Sequence, residues 1–336
     1  MRSVGVDLHK KMFMVCYLDG EEKAFRRYEI DEISRFKLEL RKTDGVAVEA
    51  TGNTRYFVNE IREYVSEVLV VNPRQFRVIS DSVKKTDRED AETLALFLEK
   101  DMLPTVSMKD ENSSQVKSMA NTRDRLVKLR TVLKNKIHNI LNAHGIQSRR
   151  EEFSSEKGLR RILSVSVNES ARIELEVIVE QILYLNEGIK KLDQEIKEKG
   201  SQLKGFENIT SIKGIGDKSG SILLSVIGNI ENYENEKKLH AYFGIVPRMS
   251  QSGDMIHYGK ITKEGSKLGR TTLVQCTLIA IRYSPYLSKF YNRLKVKKGS
   301  GKAIIATSRK LLSIIYNTLK NDWIFEDFEN FVLKQS

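Results

Sequence analysis

Apolar and polar positions divide the chain into two regimes. Over roughly its first hundred residues the apolar runs are short and of strand length. Residues 3–8 (Ser-Val-Gly-Val-Asp-Leu) form one run that ends in an acid, and 12–18 (Met-Phe-Met-Val-Cys-Tyr-Leu) form a second, closed by the turn pair Asp19-Gly20. Residues 24–30 can return as a third strand, and Ile33, Phe36 and Leu40 then recur at helical spacing within 31–41. Val46-Ala47-Val48-Glu49 is another apolar strand that ends in an acid. A helix over 56–64 follows Thr51-Gly52-Asn53, then a strand over 68–71, then Asn72-Pro73 opening another helix. Ala91, Leu94, Ala95 and Leu98 mark an amphipathic helix entered at Asp87. Three strands followed by alternating helix and strand predict an α/β domain with a mixed sheet.

Beyond residue 110 the period changes to helical. Leu126, Leu129, Leu133, Ile137 and Ile140 lie along a long basic helix over 113–145, and the less regular 145–170 reads as a connection. Leu175, Ile178, Ile182, Leu185, Ile189, Leu192 and Ile196 then alternate spacings of three and four, the a/d pattern of a coiled coil. That seam can close on 113–145 as a hairpin or on a second chain as a dimer, and the same helices could build both. In 205–230, Gly214-Ile215-Gly216 lies between two helical patterns, with Lys213 and Lys218 beside it, and resembles a helix-hairpin-helix. Residues 239–270 end a helix and enter a polar, glycine-containing loop with Ser252-Gly253 at its tip; residues 271–283 are an apolar helix. The 289–302 stretch, with Phe290, Tyr291, Lys297, Lys298 and Lys302, reads as a flexible phosphate-contacting loop whose spacing does not fit a Walker A motif. A helix over 303–319 follows, packed down by Trp323, Phe325 and Phe328. The pattern therefore divides into 1–110, 111–202 and 203–336.

Composition adds location to this picture. The chain has 336 residues, 40% of them hydrophobic, and a net charge of +12. Residues 257–310 hold 13 Lys/Arg and one acid, Glu264, and residues 117–150 hold nine Lys/Arg and one acid, Asp124. Positive charge gathered into two segments points to a polyanion, nucleic acid first. No apolar run approaches a membrane span, and Asp7, His9, Lys10 and Lys11 break any signal-peptide pattern, so a cytoplasmic protein with no membrane partner is expected. Cys16 and Cys276 have no metal-ligand spacing and read as buried thiols of a reducing compartment.

The chemistry gathers on four acids. Asp87 and Asp90 are three apart at a helix start and so share one face. Thr86 and Glu89 beside them fit a capping box, which alone would explain acids there. Asp7 and Glu49, however, fall at the carboxyl ends of predicted strands, the edge where open α/β sheets bind ligands. Four carboxylates at one edge suit oxygen-liganded Mg²⁺, and two such ions roughly 4 Å apart clamp the attacking and leaving oxygens of a phosphodiester. A serine in the 239–270 loop is, by residue type alone, a turn former. The same acids could activate water in a nuclease or junction resolvase, and a non-catalytic nucleic-acid-binding protein would also account for the basic segments.

Several ordered motifs bear a family resemblance. Gly5-Val6-Asp7-Leu8-His9-Lys10, Val48-Glu49-Ala50-Thr51-Gly52, and Lys85-Thr86-Asp87 through Asp90-Ala91 are similar to the three acidic motifs of the DEDD transposases of bacterial and archaeal insertion sequences. Gly214-Ile215-Gly216, Ala241 through Arg248, Ser252-Gly253, and Ile261-Thr262-Lys263 with Gly265 resemble that family's C-terminal region, in order. The family is related to the Piv-type DNA invertases and includes bridge-RNA-guided recombinases. The resemblance implies an RNase H-like (RuvC-like) domain, a coiled-coil middle and a small helical transposase domain with a helix-hairpin-helix. It implies Mg²⁺ on Asp7, Glu49, Asp87 and Asp90, two ions per site. It implies that Ser252 attacks DNA to give a phosphoserine, with Ser250 the neighbouring alternative, in a site shared between protomers of a dimer or tetramer. It implies as partners the DNA of element ends and target and a guide RNA. Gly214, Gly216, Lys218, Arg248, Lys260, Lys263, Lys297, Lys298 and Lys302 are the expected nucleic-acid contacts.

Overall fold

Val4, Val6 and Leu8 point to one side of a strand and Ser3, Gly5 and Asp7 to the other. All six are buried, so β1 (Ser3–Leu8) lies inside a sheet covered on both faces. A computed structural model describes residues 2–73, 76, 86–253 and 255–325. The helix expected after Pro73, Lys85 of the third acidic motif, and Phe328 lie outside these residues. The chain divides into two compact units, residues 1–108 and 109–336.

In the first unit β2 (Met12–Asp19) returns antiparallel to β1 with Gly5 opposite Cys16, and β3 (Glu22–Glu29) returns on β2 through a turn at Gly20, whose φ is +63°. The parallel strands β4 (Gly45–Glu49) and β5 (Glu67–Val71) extend the other side, giving the order β3-β2-β1-β4-β5. This mixed sheet is compatible with an RNase H-like domain. Helices α1 (Ile33–Glu39) and α2 (Thr54–Ile61) cover one face; Phe36 and Phe57 pack there against Phe13, with ring centroids 5.3 and 5.1 Å away. Helix α3 (Asp87–Glu99) covers the opposite face through Ala91, Leu94, Ala95 and Leu98. The starts of β1 and β4 are tied by a two-pronged pair, Arg2 Nε to Asp44 Oδ1 at 3.1 Å and Nη2 to Oδ2 at 2.6 Å, with Asp44 wholly buried. Loss of one partner of such a buried pair costs about 3–5 kcal/mol.

The second unit is helical. Helices α4 (Glu111–Ala143) and α6 (Glu169–Ser201) form an antiparallel hairpin, with α5 (Glu156–Ile162) packed at its far end. The segment read as a plain connection thus carries a short helix. Leu175, Ile178 and Ile182 of the heptad pattern pack with Ile137, Ile140 and Leu141. Arg123 bonds Asp193, Arg130 Nη1 donates to Asn186 Oδ1 at 2.8 Å, and Lys136 meets Glu174 at 2.8 Å, fixing the antiparallel register. Of the two seams left open by the sequence, the one formed here is the internal hairpin. Val116, Ala120 and Ile196 share one core with Ile209, Leu223, Leu273 and Leu311. The stretches read as a middle and a C-terminal domain are therefore one unit, because the hairpin's open end supplies part of the C-terminal core.

That core is completed by α7 (Phe206–Thr210), α8 (Asp217–Ile227), α9 (Glu236–Tyr242), α10 (Lys267–Tyr283), α11 (Pro285–Lys298) and α12 (Ser300–Lys320). Two loop expectations are corrected. Residues 247–261 form a hairpin of β6 (Pro247–Ser252) and β7 (Met255–Ile261). The 289–302 stretch is helical on both sides of Gly299: Lys297 and Lys298 end α11 and Lys302 lies in the first turn of α12. Lysines in a last turn suit the helix dipole, and Gly299 supplies the φ of +78° that ends α11, so one residue suffices where a loop was expected. Phe325 packs into the core as expected, whereas Trp323 remains half exposed.

Candidate active site

The acid cluster owes its position to a residue without a side chain. Gly5 faces α3, and a β-carbon there would fall 2.0 Å from the Ala91 oxygen and 2.5 Å from the Ala95 nitrogen. Glycine against two alanines lets strand and helix touch backbone to backbone. Asp7 lies two residues on along the same face of β1, and the first turn of α3 carries Asp87 and Asp90 beside it. Thr86 caps that turn by accepting from the Glu89 N–H at 3.2 Å, so the capping reading holds alongside the cluster. Glu49 ends β4, the parallel neighbour of β1, and its carbonyl accepts from Thr54 Oγ1 at 2.8 Å.

Asp7 and Asp90 are buried, Glu49 is half-buried, and the Asp87 side chain is about half exposed, at 47%. Burial raises Asp7, the nearby His9 lowers it, and the charges of Asp87, Asp90 and Glu49 raise it further, leaving its carboxyl at about 6. The charges of the other three acids therefore reach Asp7. His9, to which the sequence assigned no ligand role, joins them. Its Nε2 lies 3.1 Å from Asp7 Oδ2 and 3.3 Å from Asp87 Oδ1. The three residues present ligand atoms within 4.8 Å of one another. The available signal was the spacing Asp-x-His, which turns both side chains to one side of an extended end. Repelling carboxylates that converge with an imidazole form a donor set that fits a divalent cation.

The second unit carries the other expected residues. Ser252 ends β6, exposed, and Gly253 turns the hairpin with φ +56°. Ser250 pairs with His257 across the strands, also exposed. Arg248, Lys260 and Lys263 are exposed on the hairpin and just after it, and Lys297, Lys298 and Lys302 are exposed around Gly299. Gly214, an expected nucleic-acid contact, also has a packing role. With φ +107°, its β-carbon would meet the backbone nitrogen of Ala280 at 2.7 Å, so it seats the turn on α10. Gly216 is exposed at the N-terminus of α8 with open space around it, and Lys218 is turned to Asp193 at 3.3 Å. Gly244 and Gly265 interlock two motif segments, since β-carbons there would lie 2.0 Å from the oxygens of Glu264 and Tyr242.

A mixed sheet with acids at one strand end and a basic helical unit define the class of nucleic-acid-processing enzymes with metal-fitted carboxylates. Residues 4–146 match the family model of the DEDD transposases of the IS110 group, and residues 206–292 match that of the IS116/IS110/IS902 transposase family. The chain belongs to this transposase family. It is 25% identical to the transposase of insertion sequence element IS1111A from Coxiella burnetii, over 95% of this chain and 90% of that protein. It is 26% identical to the pilin gene-inverting protein of Moraxella lacunata, over 96% and 97%. A probable family 20 transposase of Pseudomonas aeruginosa is 26% identical, over 83% and 84%. No helix among the described residues is long and apolar enough to cross a membrane.

Proposed function

We propose that this chain cuts and rejoins DNA strands by phosphoryl transfer as the transposase of an insertion element. The observation that carries the reading is the convergence of Asp7, Glu49, Asp87 and Asp90 on one end of the sheet in a chain of this family. These four residues would hold Mg²⁺, which when bound neutralises the charge that develops on a scissile phosphate. Ser252, exposed at the hairpin turn, is the nucleophile. Its Oγ forms a bond to phosphorus, the bond from phosphorus to one sugar oxygen breaks, and the serine proton leaves while the released sugar oxygen gains one. Attack by a hydroxyl of another strand reverses these bonds, so the ester is conserved and no ATP is consumed. Gly253, having no side chain, leaves the backbone open to a strand.

Arg248, Lys260, Lys263, Lys297, Lys298 and Lys302 would contact phosphates, with exposed Gly216 at the start of α8 as a further approach. A guide RNA is the second polyanion in this proposal; the separate excess of charge over 117–150 supports two nucleic-acid surfaces. Self-association is part of the same reading. Ile173, Val177 and Tyr184 form one exposed stripe on α6, and Leu129 and Val132 are exposed on α4, so the hairpin keeps an apolar face after its heptad seam is filled.

The test is cleavage of labelled DNA carrying the element's own ends, with Mg²⁺. Asp87→Asn is expected to bind DNA as the unmutated chain does and to cut at least about a hundredfold more slowly, a loss of roughly 2.7 kcal/mol in transition-state stabilisation. Unchanged cutting by Asp87→Asn would reduce that carboxylate to a helix-dipole partner.

A further inference from the structure

Resting on the reading of the acids as a metal site, we infer that His9 is itself a ligand, making the centre a mixed oxygen and nitrogen site that favours Mn²⁺ and similar transition ions over Mg²⁺ more than four carboxylates alone would. His9 Nε2 stands between Asp7 Oδ2 and Asp87 Oδ1, at 3.1 and 3.3 Å. Adjacent ligands of an octahedral ion with bonds of about 2.1 Å are separated by about 3 Å, so His9 Nε2 has the spacing of an adjacent ligand to each of the two carboxylates.

The histidine is placed from two directions. Its N–H donates to the Met12 carbonyl at 2.9 Å, and its own carbonyl accepts from Asn53 Nδ2 at 2.9 Å. Asn53 is held in turn by Thr51 Oγ1, which donates to its Oδ1 at 3.0 Å. Thr51 and Asn53 follow Glu49 directly, so the loop after the second acid fixes the backbone of the residue beside the first. The His9 side chain is 48% exposed, which leaves the ring open to an incoming ion. With the ring proton on Nε2 the histidine donates to the carboxylates; with that proton on Nδ1 instead, the Nε2 lone pair faces the ion. Imidazole is a better donor to Mn²⁺ and later transition ions than to Mg²⁺, which prefers oxygen.

The probe is Mn²⁺ added to the full chain without nucleic acid. Electron paramagnetic resonance counts bound ion, and pulsed measurements detect a directly bonded nitrogen. The unmutated chain is expected to show a ¹⁴N coupling, absent in His9→Gln. Removing even outer partners of ligands costs about 10- to 100-fold in affinity, so His9→Gln should weaken Mn²⁺ by at least about tenfold and Mg²⁺ by less. His9→Asn, with circular dichroism on both variants, guards against misfolding. Bound Mn²⁺ without ¹⁴N coupling, or equal Mn²⁺ affinity in folded His9→Gln, overturns the inference. If Asp7→Asn abolishes Mn²⁺ binding in that case, the carboxylate site stands and only His9 falls. No Mn²⁺ bound by the unmutated chain would remove both.

Discussion

The α-carbon of Gly5 lies so close to the carbonyl of Ala91 that a β-carbon at position 5 would come within 2.0 Å of that oxygen. A backbone atom cannot swing aside as a side-chain tip can, so any side chain must move α3 or β1. Either movement separates Asp7 from Asp87 and Asp90. Gly5→Ala is therefore expected to lose about 1–3 kcal/mol or more in urea unfolding and to bind Mn²⁺ weakly. Gly52→Ala is the control, because nothing lies within 4 Å of a β-carbon there. Full stability of Gly5→Ala would mean that this close contact does not position the site.

That contact also marks the limit of reading the sequence. The strands of the first unit were legible because their apolar runs are short and end in turn residues or acids; Asp7 and Glu49 were placed at strand ends on that ground alone. The contribution of Gly5 was not legible, since a glycine in a strand has many uses and its neighbour Ala91 is 86 positions away. The heptad pattern of α6 was plain, yet periodicity reports that a stripe is buried and not against which helix. Around Gly299 the count of lysines and glycines suggested a loop, whereas one positive φ accommodates the break. His9 was hidden by its residue type, which departs from the carboxylates around it.

His240 supplies an acid-sensitive element away from the acids. It is buried, its Nε2 lies 3.1 Å from Ser313 Oγ, and burial lowers it to about 4, with Arg309 and Lys310 adding to the shift and Glu236 opposing it. A group held below its unfolded value of about 6.5 stabilises the fold above that pH, and the contribution is lost as pH falls through about 4. The difference corresponds to on the order of 3 kcal/mol. In His240→Gln the stability at pH 7 should be lower but the decline between pH 6.5 and 4 shallower than in the unmutated chain. Identical declines in urea titrations at several pH values would exclude His240 as a source.

Self-association should depend on the outer face of the hairpin and not on its seam. Val177 and Tyr184 are 54% and 78% exposed, so Val177→Lys with Tyr184→Lys should leave the melting temperature nearly unchanged while lowering the mass seen by light scattering. Ile182, wholly buried between α4 and α6, should instead lose the fold when replaced by Lys. A monomeric unmutated chain with nucleic acid bound would count against association through this face.

The nucleophile decides between strand exchange and simple hydrolysis. Labelled DNA incubated with Mg²⁺ and the protein, then run on a denaturing gel, reports whether protein and strand become covalently joined. The unmutated chain and Ser250→Ala are expected to give the adduct. Ser252→Ala should bind DNA and metal as before and give none, and mass spectrometry of the digested adduct should place the phosphate on Ser252. An adduct retained by Ser252→Ala and lost in Ser250→Ala would move the nucleophile two residues back, and cut DNA with no adduct from any variant would contradict the phosphoserine and leave a nuclease that activates water.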